Sequence, residues 1–393
     1  MGTDVRSGLR TAILLSEVEP VKKNTLVILL VSLVVALCVL PGCQSEEQPE
    51  EQTFETIELS YSNFFPPTHL HSILAEEWIK EVESRSGGKV NITYYAGESL
   101  VSAAQTYDGV VQGIADIAMS VFAYTPGRFP ACELVDLPHA YPNGWVATRV
   151  ANDFYQEFKP AELNDTHPLY FHAHGPGVIF TTEKPVRTME DLKGLVIRST
   201  GIGASIVEAL GAEGYGASQG QAYEMLSKNV VNGSYTPREV LKGWNQADVV
   251  KYVTGCYDVG NTTMMFVVMN KDKWDSLPVD VQKVFSDVSE EWILKHGQVW
   301  DYYDKAGIDY FLSLGGDREV IELPEAEMAR WVEVAVDPLI ERYIADKTEA
   351  GLSAAEYQVY ILERVAYWGS RTPTAEQSAQ WVEDELVPLL PQD

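Results

Sequence analysis

Basic side chains are scarce in this chain: 29 Lys and Arg stand against 57 Asp and Glu, a formal net charge of −28. A polyanionic partner would be repelled, which excludes nucleic acid. Cysteine is scarcer still, with four in the whole sequence, too few and too far apart for a disulfide framework. No internal repeat is present, and only one apolar run, at the N-terminus, is long enough to span a membrane. The segment Gly201-Ile202-Gly203-Ala204-Ser205 faintly suggests a nucleotide loop but lacks the full glycine pattern and the phosphate-binding lysine. No Ser-His-Asp or Cys-His arrangement can be argued from spacing, and the many acidic residues read as a solvated surface.

What is present begins with export. Val21-Lys22-Lys23-Asn24 precedes an almost unbroken apolar run to Leu40, followed by Pro41-Gly42-Cys43. That pattern reads as a bacterial lipoprotein signal, with Cys43 acylated to become the mature N-terminus; an uncleaved anchor is the other reading. Either way the body lies outside the cytoplasm. Residues 1–20 have no export character, and Val21 reads as a true start at a non-ATG codon. Residues 43–54 are charged with no apolar face, a disordered tether. Removing residues 1–42 takes the net charge to −29. Of the remaining cysteines, Cys132 and Cys256 are expected as buried structural thiols. Roughly 340 residues follow the tether, more than one ordinary core accommodates and comfortable for two domains.

Along the body, strands at 56–60, 89–95 and 116–120 alternate with helical patterns, the first carried by Leu70, Leu74, Trp78 and Val82. Strands alternating with helices predict βαβ units and a mainly parallel sheet. Residues 168–174 and 178–182 read as strands leading out of this lobe. A second α/β stretch holds a strand ending at Arg198, helices near 204–210 and 221–229, and an apolar segment at 263–269 that fits a strand buried on both faces. From Trp274 onward the chain is mostly helical.

The strand before Arg198 is the most informative segment. Asp191-Leu192-Lys193-Gly194-Leu195-Val196-Ile197-Arg198 places one cation at a strand's carboxyl end, ahead of Ser199-Thr200-Gly201. Ligands of open α/β sheets settle outside those ends, so Arg198 is the first candidate anchor for an anion. Its alternative is an internal ion pair with Asp191, Glu190 or Glu213. The helix starting near Ala204 could add free backbone N–H groups. His172-Ala173-His174 puts two imidazoles on one face of a strand, but no third ligand for a metal is evident nearby. His174 either lines a cleft as a donor or is a satisfied structural histidine.

The order of segments resembles the solute-binding proteins of tripartite ATP-independent periplasmic (TRAP) transporters over about residues 55–345. Three patches carry the resemblance: Trp78 to Val90 with Gly113-Ile114-Ala115-Asp116; Asp191 to Arg198; and Val230-Val231-Asn232-Gly233 before Pro237. It implies a two-lobed periplasmic-binding-protein-like α/β fold with discontinuous lobes, a cleft between them and a helical C-terminal region. The chain would then cross between lobes near 175–180, 258–262 and 305. Lobe I is expected to comprise 55–177 and 262–305, lobe II 178–261 and 306–370, and the tail 371–393. The family's ligand-carboxylate arginine falls on Arg198, whose guanidinium offers two parallel donors. A second basic residue used by some members corresponds to Lys184. Departures from the family pattern place Gln219, Tyr235 and Thr236 where relatives have other contacts. Phe64, with Phe65 beside it, and Phe122 with Tyr124 would form an aromatic wall, unless they are simply core. Trp244 completes the ligand candidates. The resemblance implies a receptor for an organic carboxylate, an aromatic or hydrophobic one by that wall, delivered to a membrane permease. No enzyme activity, metal or cofactor is expected; a sensor presenting its ligand to a receptor kinase is the alternative, and an exported hydrolase a weaker one.

Overall fold

The computed structural model describes residues 55–391; the export signal, Cys43 and the tether lie outside them. The first sheet takes the order β2-β1-β3-β10-β4, from Val90–Tyr95, Ile57–Asn63, Ile117–Val121, Met264–Asn270 and Thr166–Ala173. The second runs β11-β9-β5-β8-β6-β7, from Glu319–Glu322, Tyr252–Gly255, Val178–Thr181, Gly233–Thr236, Val196–Ser199 and Glu213–Gly216. In each sheet all strands but one point the same way, in line with the strand–helix alternation. β10 pairs antiparallel with both β3 and β4, and β5 antiparallel with β8 and β9. Both exceptions arise where the chain changes sheets, because a strand entering from the other layer need not follow a right-handed crossover.

The apolar strand at 264–270 is buried at every position, as its uninterrupted hydrophobicity requires at the centre of a covered sheet. At the edge, β4 tolerates Pro168 beside a register shift between Val267 and Val268, since an edge strand can leave one ladder position unpaired. Asp116 ties β1 to the turn before β3: its Oδ2 accepts from both the backbone N and the Oγ of Ser60 at 2.8 Å. In the second sheet, Thr188 and Asp191 form a capping box, Gly194 turns at φ +77°, and β6 follows. The Asn232 side chain accepts from Val196 N at 2.9 Å. A Cβ on Gly233 would come 2.2 Å from Phe180 O, so only glycine lets β8 pack between β5 and β6.

The chain leaves the first sheet at Ala173 and enters the second at Val178, returning between Gly255 and Met264. A third connection is the helix Val279–Ser313, whose Val281, Phe285, Trp292 and Tyr303 are buried in the first core and Phe311 in the second. The expected boundary of the second lobe at 370 is corrected by the packing. Ala354 and Ile361, on the helix Ala354–Gly369, are buried in a cluster with Val150, Ala151 and Phe154 of the helix Gly144–Phe158. Arg364 and Trp368 reach Asp153 at 2.6 Å, and Val382 and Leu386 join the first sheet's core. Short-range periodicity identifies these helices but carries no information about which layer receives them. No helix among the described residues is long and apolar enough to cross a membrane. Cys132 and Cys256 are buried and free, and burial pushes the Cys256 thiol up to about 12.

Candidate ligand-binding site

Arg198 is 1% exposed at the end of β6. Its Nε and Nη2 donate to Ala217 O at 3.1 and 2.7 Å, Nη2 also to Thr200 Oγ1 at 2.9 Å, and Nη1 to Gln219 Oε1 at 2.7 Å. Every one of these acceptors is uncharged. The three carboxylates that could have neutralised it are committed or remote. Asp191 accepts from the backbone of Arg187 and Thr188, Glu190 pairs with Arg330, and Glu213 is exposed on β7. Burial accordingly pulls the guanidinium below its ordinary pKa, with Tyr124 opposing that shift. It remains ionised at any pH of interest, so the fold keeps a dry, uncompensated cation at considerable electrostatic cost.

Arg198 faces a cavity of about 40 Å³ between the two sheets, room for roughly three waters at 10–15 Å³ each. Gln219, Tyr235, Thr236, Phe64, His174 and Trp244 line it with Arg198, and so do Phe65, Tyr124, Glu239 and Trp300. Gly201 brings the walls together: at φ +52°, a Cβ there would meet the Ala123 Cβ at 2.7 Å. Two of the nine ligand candidates are elsewhere. Phe122 is in the core against Phe129 and Phe266, with centroids at 4.7 and 4.9 Å. Its neighbour Val121 takes the cavity side. Lys184 is exposed and donates to Asp191 O. Two N–H groups opening the helix Ile202–Ala209 are also spent locally, Gly203 N on Thr200 O and Ala204 N on Gly201 O, so that turn does not present these two to an anion.

Several lining groups serve the frame. The Tyr235 hydroxyl donates to Val259 O at 2.6 Å and accepts from Asn261 N at 3.1 Å, bolting β8 to the connection between the sheets. His174 contacts Gly175 O through Nδ1 and Thr263 Oγ1 through Nε2 at 2.9 Å; burial lowers its pKa to about 4. Glu239 Oε2 and His69 Nε2 lie 3.0 Å apart, both buried. Burial raises the carboxyl pKa and lowers that of His69 to about 3; because His69 Nδ1 accepts from His71 N, the neutral imidazole carries its proton on Nε2 and donates it to Glu239 Oε2. Glu239, in the turn before the helix Val240–Gly243, and Trp300, on the helix Val279–Ser313, were not anticipated: no local pattern marks either, and contacts from other segments place them here.

The profile of the bacterial extracellular solute-binding proteins, family 7, matches residues 61–347. The chain belongs to that family. A TRAP periplasmic solute-binding protein of Desulfovibrio salexigens is 32% identical, with 81% of this chain and 99% of that one covered at a TM-score of 0.71. A TRAP solute-binding protein of Rhodoferax ferrireducens, in complex with copurified benzoate, is 25% identical over 80% and 99% at a TM-score of 0.76. A monocarboxylate 2-oxoacid-binding periplasmic protein of Nostoc is 25% identical over 228 residues, 55% of this chain and 61% of that protein. The two-lobed frame of TRAP solute-binding proteins is thus the frame of this chain.

Beneath the cavity of this solute-binding protein, the fold supplies what sequence spacing did not: His71 and His296 join His172, with one ring nitrogen of each lying within 4.8 Å of the others. The partner of His172 is therefore not His174 but two residues from distant helices. Stacking, however, sets the rings in near-parallel planes, His172 on His296 at 4.1 Å and 6°, His71 on His296 at 5.1 Å and 12°. Lone pairs lying in parallel planes do not converge on one tetrahedral centre. Neighbours are met instead: His71 Nδ1 and His296 Nδ1 share a hydrogen bond at 3.0 Å, and Trp300 Nε1 donates to His172 Nδ1 at 3.1 Å.

Burial lowers the pKa of all three imidazoles, His172 to about 3. Below pH 6.5 the unfolded chain therefore binds protons the folded one refuses, and stability falls as pH drops. Glu239 and Asp136, whose pKa values burial raises, contribute with the opposite sign. A single substitution isolates one imidazole from this background. His71→Leu is expected to flatten the loss of unfolding free energy between pH 6.5 and 4.5 by about 1.4 kcal/mol per pH unit. Urea titrations followed by tryptophan fluorescence would measure it, and parallel pH profiles for both proteins would refute it.

Proposed function

We propose that this protein is an extracytoplasmic receptor that closes on an organic carboxylate, aromatic or hydrophobic in body, and hands it to a TRAP-type permease. The observation that carries this reading is Arg198: a fully buried guanidinium, bonded only to neutral oxygens, at a cavity walled by Phe64, Phe65, Tyr124 and Trp244. A carboxylate there would meet the one Nη1 N–H that no protein acceptor takes, and a second donor on displacing Gln219 Oε1 or Thr200 Oγ1, in a low-dielectric site. Aromatic rings would take the remainder of the ligand without asking it for hydrogen bonds. The Rhodoferax relative with copurified benzoate supports an aromatic acid. A benzene ring is larger than the 40 Å³ between the walls, so it would enter with the lobes apart and be enclosed as they approach. Acylation at Cys43 and the polar tether after it would keep the receptor at the membrane.

Thermal-shift screening of the purified protein tests this reading. Benzoate, 3-hydroxybenzoate and branched aliphatic acids at a hundred times their Kd are expected to add about 2.7 kcal/mol of stability. A panel in which only polyhydroxylated sugar acids such as glucuronate stabilised the protein would contradict the aromatic wall.

A further inference from the structure

One donor in the cavity wall is held in place with nothing to bind. Trp244 caps the short helix Val240–Gly243. Its indole lies parallel to Phe64 at 6.0 Å and 18°, and against Phe65 and His69 at 5.8 Å each. Gly243 leaves no slack beneath it: a Cβ there would come 2.4 Å from His69 Nε2 and 2.7 Å from Glu239 Oε2. The ring is thus fixed by neighbours from both lobes. Its Nε1 is nevertheless buried without an acceptor among the described residues. Trp292, Trp300 and Trp331 all donate, to Leu74 O, His172 Nδ1 and Glu327 Oε1. Trp78 also lacks an acceptor, but it lies in the core away from the cavity.

Gln219 adds a second unpaired donor. Its Oε1 is fixed on the Arg198 guanidinium, which settles the orientation of the amide, and leaves Nε2 buried and unpartnered. Three acceptors nearby are taken. Thr200 Oγ1 serves Arg198, Glu239 Oε2 serves His69, and Thr263 Oγ1 meets His174. A carbonyl or ether oxygen on the ligand would satisfy one of these N–H groups without adding a donor that itself needs a partner.

We propose that Trp244 reads a hydrogen-bond acceptor on the ligand, so that this cleft selects acids carrying an oxo or ether oxygen in addition to the carboxylate. This rests on the reading that Arg198 holds the carboxylate. A buried donor left unpaired is costly, and a site built around a hydrogen bond discriminates against the analogue that lacks it.

Isosteric pairs test it directly by calorimetry on the purified protein. Phenylglyoxylate and 2-phenylacrylate differ by oxygen against methylene beside the carboxylate, and 4-methoxybenzoate and 4-ethylbenzoate by the same exchange at the far end of the ring. The wild-type protein is expected to favour the oxygen-bearing member of at least one pair by roughly 10- to 100-fold. Trp244→Phe is expected to collapse that ratio to within about threefold. The wild-type ratio needs no variant, so the test survives a variant that fails to fold. Equal binding within both pairs, or a ratio unchanged in Trp244→Phe, overturns the role of Trp244 while leaving the carboxylate receptor standing. Wild-type protein that binds none of the four acids overturns the receptor reading and this inference together.

Discussion

Arg198→Ala is expected to weaken binding of the carboxylate ligand by roughly 30- to 5,000-fold, the consequence of removing one partner of a buried charge pair. The free protein should tolerate the change. Arg198 has no carboxylate that would be orphaned by its loss; Ala217 O, Thr200 Oγ1 and Gln219 Oε1 lose only a donor. Removing a desolvated charge also relieves part of the cost of burying it. Arg198→Lys separates charge from geometry: an ammonium keeps the positive sign but cannot present two parallel N–H groups to one carboxylate. It should recover only part of the affinity. Calorimetry with the best acid from the thermal-shift panel measures both variants, and circular dichroism checks the fold. Unchanged affinity in Arg198→Ala would sink the assignment. The net charge of −28 works against any anion at long range, but screening confines that field to ~8 to 10 Å at physiological salt. Short-range geometry at Arg198 therefore has to dominate.

Trp300→Ala should cost about 3–5 kcal/mol of stability, the range for deleting a large aromatic from a core. The residue is 1% exposed and lies on the helix that connects the two cores. Its ring stands 4.0 Å from that of His71, and its Cβ would be only 2.5 Å from one added at Gly144. No smaller side chain fills that space, and the neighbours are themselves fixed by the histidine stack. Trp300→Phe retains most of the volume but strips His172 Nδ1 of its donor, for about 1–3 kcal/mol. Urea unfolding measures both. A loss below about 1 kcal/mol for the alanine variant would show that the site relaxes in a way this packing does not suggest. Because Trp300 also lines the cavity, ligand affinity should fall with stability in the alanine variant.

The candidate site was partly legible because some of its information is local. A strand, a turn and a terminal arginine are all written within residues 191–201, and Arg198 lies where a strand's end must open. The aromatic pair Phe64-Phe65 follows a strand directly, and both residues line the cavity. Phe122 shows the limit. β3 is buried at every position, so its hydrophobicity does not alternate, and nothing in the sequence tells Val121, which faces the cavity, from Phe122, which faces the core. Lys184 lies in a polar connection between strands, where only the packing of Asp191 above it decides that its amine stays at the surface.

By itself the sequence determined the element types, the two-layer α/β organisation and the place of Arg198, all of which depend on short-range periodicity, composition and turn chemistry. The tertiary structure alone decided which strands run antiparallel, that the helix Ala354–Gly369 returns to the first layer, and that Glu239, Trp300 and Trp244 share a cavity with Arg198. It also decided that His71, His172 and His296 stack, although 225 positions separate the first from the last. Register and layer packing set those relations through contacts between distant segments, and a linear pattern with period 2 or 3.6 specifies a face without specifying what will cover it.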